Sequence, residues 1–231
     1  VPTMLTLGVR PRRDPEALFA DLLVATVDDV ATAEALEPHP LVGTACVPLS
    51  AVDDSAALER FLVRLDVAPP DEPPPVRAYV VEATAEQLVD AVAIAPGSSV
   101  VVLCADGDVV ETTALVDRAG RHPGLDAGWS EDRVADFLAV VAHAEHGFFA
   151  VATDTSSVLA VLAGTVAALR GDDVRSALRS PDLAGLVALH PDAAAATREV
   201  LLGVLVPNAG NIAHELRRRI DEITGDAAGD A

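Results

Sequence analysis

Three carboxylates stand at the ends of apolar, β-rich runs: Glu82 after Val76–Val81, Asp106 after Ser99–Cys104, and Asp154 closing Phe148–Thr153. In parallel α/β architectures ligands collect at the carboxyl ends of the strands, where loops and helix N-termini converge. If these runs are strands of one sheet, Glu82, Asp106 and Asp154 point toward a common opening and are the candidate catalytic groups. Together they could hold a hard divalent cation such as Mg²⁺ or Mn²⁺, which prefers oxygen donors. Alternatively, two of them could work as general acid and base, one pKa being raised by its neighbour. Cys104, Thr155 and Asn208 lie at the same kind of strand end and are candidate substrate contacts; Ser50 follows another such run. A competing role exists for several. Asp154 and Thr155 are good helix caps, and Asp106-Gly107-Asp108 is a good turn.

Other reactive types offer less. His143-Ala144-Glu145-His146 resembles a metal motif, but a zincin needs its histidines four apart and these are three apart. They fall at the end of a helical pattern before Gly147, and in a barrel that end lies opposite the active mouth. His39, His122, His190 and His214 show no spacing that suggests ligation. Cys46 and Cys104 sit in apolar runs, as small buried hydrophobes do, so Cys104 paired with a distant His as nucleophile and base is disfavoured. All sixteen formal positive charges are Arg, and Lys is absent. Schiff-base chemistry, covalently anchored pyridoxal phosphate and a phosphate loop with its Lys are therefore excluded.

The net charge of -20 argues against nucleic acid or an anionic membrane as partner, since both demand a basic patch. The triplet Arg217-Arg218-Arg219 is interleaved with Glu215, Asp221 and Glu222, as on a solvated helix end. No disulfide framework or targeting segment is apparent, which favours a cytoplasmic protein.

These groups must be positioned by elements, and the pattern is a short β-rich run followed by a helix, repeated. Leu5–Val9 reads as a strand, with Asp14 and Pro15 opening a helix. Leu22–Val27 is either a continuation of that helix or a strand before the helix 29–36. Leu41–Leu49 is a buried strand, and Leu58, Phe61, Leu62 and Leu65 recur at helical spacing behind caps at Asp54 and Ser55. The Pro-rich stretch 68–75 reads as a stiff loop. Thr84 with Gln87 forms a capping box for a helix 85–94. Residues 105–129 give no clear pattern beyond a short strand near Leu125–Trp129. Ser130 opens a helix with an inner stripe of Val134, Phe137, Leu138 and Val141. The helix Val158–Leu169 has no charge on any face, so it must be buried in the core or against a second copy of the chain. Pro181-Asp182 and Pro191-Asp192 start further helices, Leu201–Val206 is a last strand, and Asn211–Ile223 a last helix.

Alternation with continuous apolar strands means a parallel sheet covered on both faces. Counting generously gives about eight strands, the number of a closed (β/α)₈ TIM barrel, regular or incomplete. A stricter count suits an open doubly wound sheet. The barrel is preferred because no Gly-rich nucleotide loop follows any strand. One domain over residues 1–223 is expected, with a disordered tail over 224–231.

The stretches PLVGTACVPLSAVDDSAAL (Pro40–Leu58), DRVADFLAVVAHAEHGFFAVAT (Asp132–Thr153) and VLAVLAGTVAALRGDDVRSALRSPD (Val158–Asp182) resemble an uncharacterised family of actinobacterial, TIM-barrel-like proteins. That resemblance implies a barrel and no particular activity. Members tend to carry a Lys where this chain has Phe149, and a His pair where it has Thr155 and Ser156. Two functions follow as expectations. One is a small-molecule-acting or ligand-binding barrel using strand-end carboxylates for lyase, isomerase or hydrolase chemistry. The other is a non-catalytic barrel acting through self-association, with the helix 158–169 as interface, or through a protein partner.

Overall fold

A computed structural model describes residues 16–52, 58–70, 74–94 and 97–229. Eight strands, all parallel, close into a barrel in chain order: β1 (Leu23–Thr26), β2 (Val42–Pro48), β3 (Leu62–Arg64), β4 (Ala78–Ala83), β5 (Val100–Cys104), β6 (His122–Asp126), β7 (Phe148–Val151) and β8 (Leu201–Val206). Closure is made by β8 against β1, with Leu23 opposite Val204 and Ala25 opposite Val206. The helices are α1 (Val30–Glu34), α2 (Leu88–Ala93), α3 (Val109–Arg118), α4 (Glu131–Val141), α5 (Thr155–Arg170), α6 (Val174–Arg179), α7 (Leu183–Val187), α8 (Pro191–Val200) and α9 (Ala209–Gly229). The protein is a (β/α)₈ TIM-type barrel.

Alternation along the strands divides the apolar residues into two layers, because successive side chains point to opposite faces. Val24, Cys46, Leu62, Ala78, Val80, Val101, Phe149 and Leu205 form the inner cluster, with Leu103, Val151 and Leu202 packed against it. The barrel is therefore filled, as small eight-stranded barrels are. Their neighbours, among them Val63, Tyr79, Val102, Leu125 and Ala150, face outward into the larger core under the helices. Phe137 of α4 meets Phe148 of β7 edge to face at 5.3 Å, the arrangement that ring quadrupoles favour.

The helix expected from Leu58, Phe61, Leu62 and Leu65 is not formed. Leu58–Arg60 make one 3₁₀ turn and Leu62–Arg64 are strand β3, bonded to β2 and β4. Four apolar residues at i, i+3, i+4 and i+7 satisfied a helical face. Leu62 faces into the barrel and Val63 outward, both fully buried, which only a strand between two neighbours allows. The proposed caps at Asp54 and Ser55 lie outside the described residues, as do Leu5–Val9, Asp14 and Pro15. Within 105–129, α3 had no clear sequence pattern, yet Asp108 caps it by accepting from the amides of Val110 and Glu111. The last helix continues past Thr224 to Gly229, where a tail was expected.

The uncharged helix 158–169 is the central part of α5, and the chain itself covers it. From Val158 to Ala167 only Ala160 is not buried, and α4, α6, α7, α8, α9 and β8 all pack on the helix. Charge is absent because the helix is covered along nearly its whole length, with only Leu169 at its end exposed. Self-association through this helix is thereby left without the free apolar surface it was expected to use.

Candidate functional site

The strand ends of β4 and β6 deliver two carboxylates to one cleft. Glu82, Leu103, Cys104, Ala105, Asp126, Trp129 and Val151 line a cavity of about 170 Å³ at the C-terminal mouth of the barrel. Glu82 is the second-last residue of β4 and shares inward orientation with Ala78 and Val80. Asp126 is the last residue of β6, in register with Val151 of β7. One of its oxygens accepts the Gly128 amide at 2.8 Å, and its carbonyl accepts the Trp129 amide at 3.1 Å. That turn fixes the carboxylate and swings the indole into the cleft. The Trp129 ring is further held by Phe137, edge-on at 6.1 Å, and by the Arg133 guanidinium stacked 4.3 Å from its centroid. Among the described residues Arg133 makes no ion pair, and its buried Nε and Nη2 have no hydrogen-bond partner. Among the described residues neither Glu82 nor Asp126 forms an ion pair.

The other expected site residues stand at the same face, but all except Cys104 are engaged in local caps, turns or side-chain hydrogen bonds outside the cleft. An Asp106 oxygen accepts the Ala85 amide at 2.6 Å, tying the β5 end to the turn after β4. Asp154 caps α5, accepting the Ser157 amide at 2.8 Å, while its own amide donates to the Ser157 hydroxyl at 3.2 Å. The Ser157 amide, and then its hydroxyl, hold the Asp154 carboxyl below its ordinary value, so it stays ionised as a cap rather than poised as an acid. Thr155 is buried, its hydroxyl donating to Glu215 at 2.9 Å. Asn208, at a φ of 50°, offers its carbonyl to the amides of Asn211 and Ile212 and so opens α9. Cys104 alone of the three expected substrate contacts touches the cleft, and its thiol lies 3.3 Å from the Asp106 carbonyl oxygen. The three carboxylates thus do not assemble, and among the described residues no three His, Cys, Asp or Glu side chains converge as metal ligands. Mg²⁺ or Mn²⁺ held by Glu82, Asp106 and Asp154 does not fit this arrangement.

Asp126 was missed because β6 begins at His122, three residues before the run near Leu125 that suggested a strand. His122-Pro123-Gly124 hides a strand start behind two strand-breaking residues. Gly124 is needed there because a Cβ would lie 2.3 Å from the Leu103 side chain. Cys46 faces into the barrel, where burial pushes its thiol up to about 12 and leaves it without nucleophilic character. A larger groove of about 340 Å³ runs over α5, α6 and α7, and no strand residue lines it. Its Asp173 and Asp182 are the N-caps of α6 and α7, so it carries no comparable chemistry.

No family model, curated protein or solved structure matches the chain. Among the described residues no helix is long and apolar enough to cross a membrane.

Proposed function

We propose that the protein is a small-molecule barrel whose ligand is a compact organic cation, an amine or guanidine, held between Glu82 and Asp126 against Trp129. The observation that carries this reading is the pair of acidic side chains sharing one cleft with no ion pair to a cationic side chain among the described residues. In a chain of net charge -20, an unneutralised acidic pair attracts a positive ligand and repels an anionic one. Both carboxylates are exposed at the mouth, and a ligand that covers them beside Leu103 and Val151 must itself carry positive charge to replace the water it displaces. A volume of about 170 Å³ is below the roughly 300–1,000 Å³ of drug-sized pockets, so the ligand is small. The indole gives it an apolar or π surface, and Glu82 and Asp126 are the pair available for proton transfer in any lyase, isomerase or hydrolase step on such a molecule.

Trp129 is the single Trp of the chain, so its fluorescence reports on this cleft alone. Titration with putrescine, agmatine and choline is expected to give a saturable change in emission, with butanediol and succinate silent. Glu82→Gln and Asp126→Asn should each abolish the response while leaving the far-UV spectrum unchanged. An equal response to butanediol, or a flat response to every amine and guanidine, overturns the proposal.

A further inference from the structure

At the opposite end of the barrel, two histidines far apart in sequence are brought together by the loops that precede β6 and β7. His122 is the first residue of β6, and His146 ends the His-Ala-Glu-His run before β7. Their rings lie 6.1 Å apart at an interplanar angle of 76°. Each has its Nδ1 facing an acceptor. The His146 Nδ1 is 3.0 Å from an Asp117 oxygen, which also accepts the His146 amide at 2.9 Å. The His122 Nδ1 is 2.8 Å from the Gly147 carbonyl oxygen, which can only accept. Both neutral rings therefore carry their proton on Nδ1 and keep a lone pair on Nε2. A histidine that donates from one ring nitrogen to a carboxylate or backbone carbonyl is in the state that metal-ligating histidines adopt.

We propose that His122 and His146 form a two-imidazole site for a borderline divalent transition metal ion of the Zn²⁺, Ni²⁺ and Cu²⁺ class, with Asp117 as the residue that orients His146. Imidazole suits these ions and not Mg²⁺ or Ca²⁺. Among the described residues no third His, Cys, Asp or Glu completes the set, so water takes the remaining positions.

The surroundings favour the neutral ring of His122. Burial is the main cause that lowers its pKa; the bond to the Gly147 carbonyl opposes it, and the charges of His146 and Arg121 add to the lowering. Burial also pushes the Asp117 carboxyl up, but hydrogen bonds from the His146 amide and ring and from the Glu145 amide outweigh it and hold it low, hence ionised. Arg121 is the cation nearest in sequence to His122, and its guanidinium is spent on the carbonyls of Val92, Ser98 and Ile94. Phe149 packs edge-on against His122 at 6.1 Å and restrains the ring. A second pair shows the contrast. His39 and His214 are closer, at 5.1 Å, but the His39 Nδ1 accepts the Leu41 amide, so its neutral proton sits on Nε2 and no lone pair is offered.

Such an ion would clasp the start of β6 to the start of β7. The test uses the full, untagged chain stripped of metal, with Cu²⁺ as probe, since it binds most tightly in the divalent series. Cu²⁺ is expected to bind at one equivalent, to raise the melting temperature, and to show nitrogen hyperfine structure in its electron paramagnetic resonance spectrum, with Zn²⁺ competing. His122→Gln and His146→Gln, which keep side-chain size, should each remove the site. Asp117→Asn should weaken it about 10–100-fold. His214→Ala should leave copper binding unchanged, and so should Glu82→Gln even though it removes the amine response at the mouth, which separates the two sites. One-equivalent binding that survives His122→Gln or His146→Gln, or no nitrogen-coordinated copper in the parent chain, overturns the proposal. Should either Gln variant lose its far-UV spectrum, Asp117→Asn with unaltered copper affinity overturns it equally.

Discussion

Strands β5–β8 are followed by α3, α4, α5 and α9, helices of 10, 11, 16 and 21 residues, whereas the helices that follow β1 and β4 have 5 and 6 residues, and β2 is followed by a 3₁₀ turn. The ladder is nevertheless continuous around both halves. Closure of the sheet thus does not depend on a complete outer ring of helices; what each strand needs is an apolar cover. On the thin side α9 reaches across the seam to pack on β1 and β2, and Leu18, Phe19 and Leu22, all nearly fully buried, fill the space beside it. The thick side bears the aromatic contacts of Phe137, Phe148 and Trp129 and supplies Asp126 to the cleft.

Breaking this asymmetry should give graded effects. Phe137→Ala removes the ring between Phe148 and Trp129 and is expected to cost about 3–5 kcal/mol in urea unfolding. A loss below roughly 1 kcal/mol would place stability elsewhere. Arg121 pins the loop after α2 to the start of β6 through three carbonyls at 2.6–3.1 Å, across the boundary between the halves. Charge-assisted bonds of this kind are strong, so Arg121→Ala should cost about 2–3 kcal/mol by the same measurement. Asp154→Ala strips the capping box from α5 and should cost about 1 kcal/mol near neutral pH. Because the folded state depresses the Asp154 pKa below 3.8, this contribution is present above the unfolded value and lost as pH falls through the folded one. The parent chain and Asp154→Ala should therefore converge in unfolding midpoint as the pH is lowered, and a difference that does not narrow on acidification would refute the cap as its cause. The smallest effect belongs to Asp29→Ala. It removes the equivalent cap from α1, whose single buried residue is Ala33, and the midpoint should barely move.

Two helices of the thick half, α4 and α5, were legible in the sequence because signals agreed there, whereas α3 and the start of β6 were not. Ser130 before the stripe Val134, Phe137, Leu138 and Val141, and Asp154 before an uncharged run, each paired a cap with a period. In the thin half short elements carry too few residues for a period to declare itself. Leu58–Leu65 met the helical template by chance, and only its neighbours β2 and β4 decide for a strand. The end of β4 was found, so Glu82 was located at the mouth, but a carboxylate at a strand end can serve a ligand or a cap. Sequence could not separate Glu82 from Asp106 and Asp154, since the Ala85 and Ser157 amides that claim the latter two depend on local backbone geometry. The pairing of His122 with His146 is a product of adjacent loops and leaves no trace in spacing.

Joining Leu23 to Val204 has a consequence for biosynthesis. A ribosome releases the first strand long before the last one exists, so the nascent chain carries unpaired edges on β1 and on its newest strand until translation is almost finished. Ring completion is then a late, long-range event that no early local element can replace, and interrupted synthesis yields an open sheet prone to pairing with its own kind.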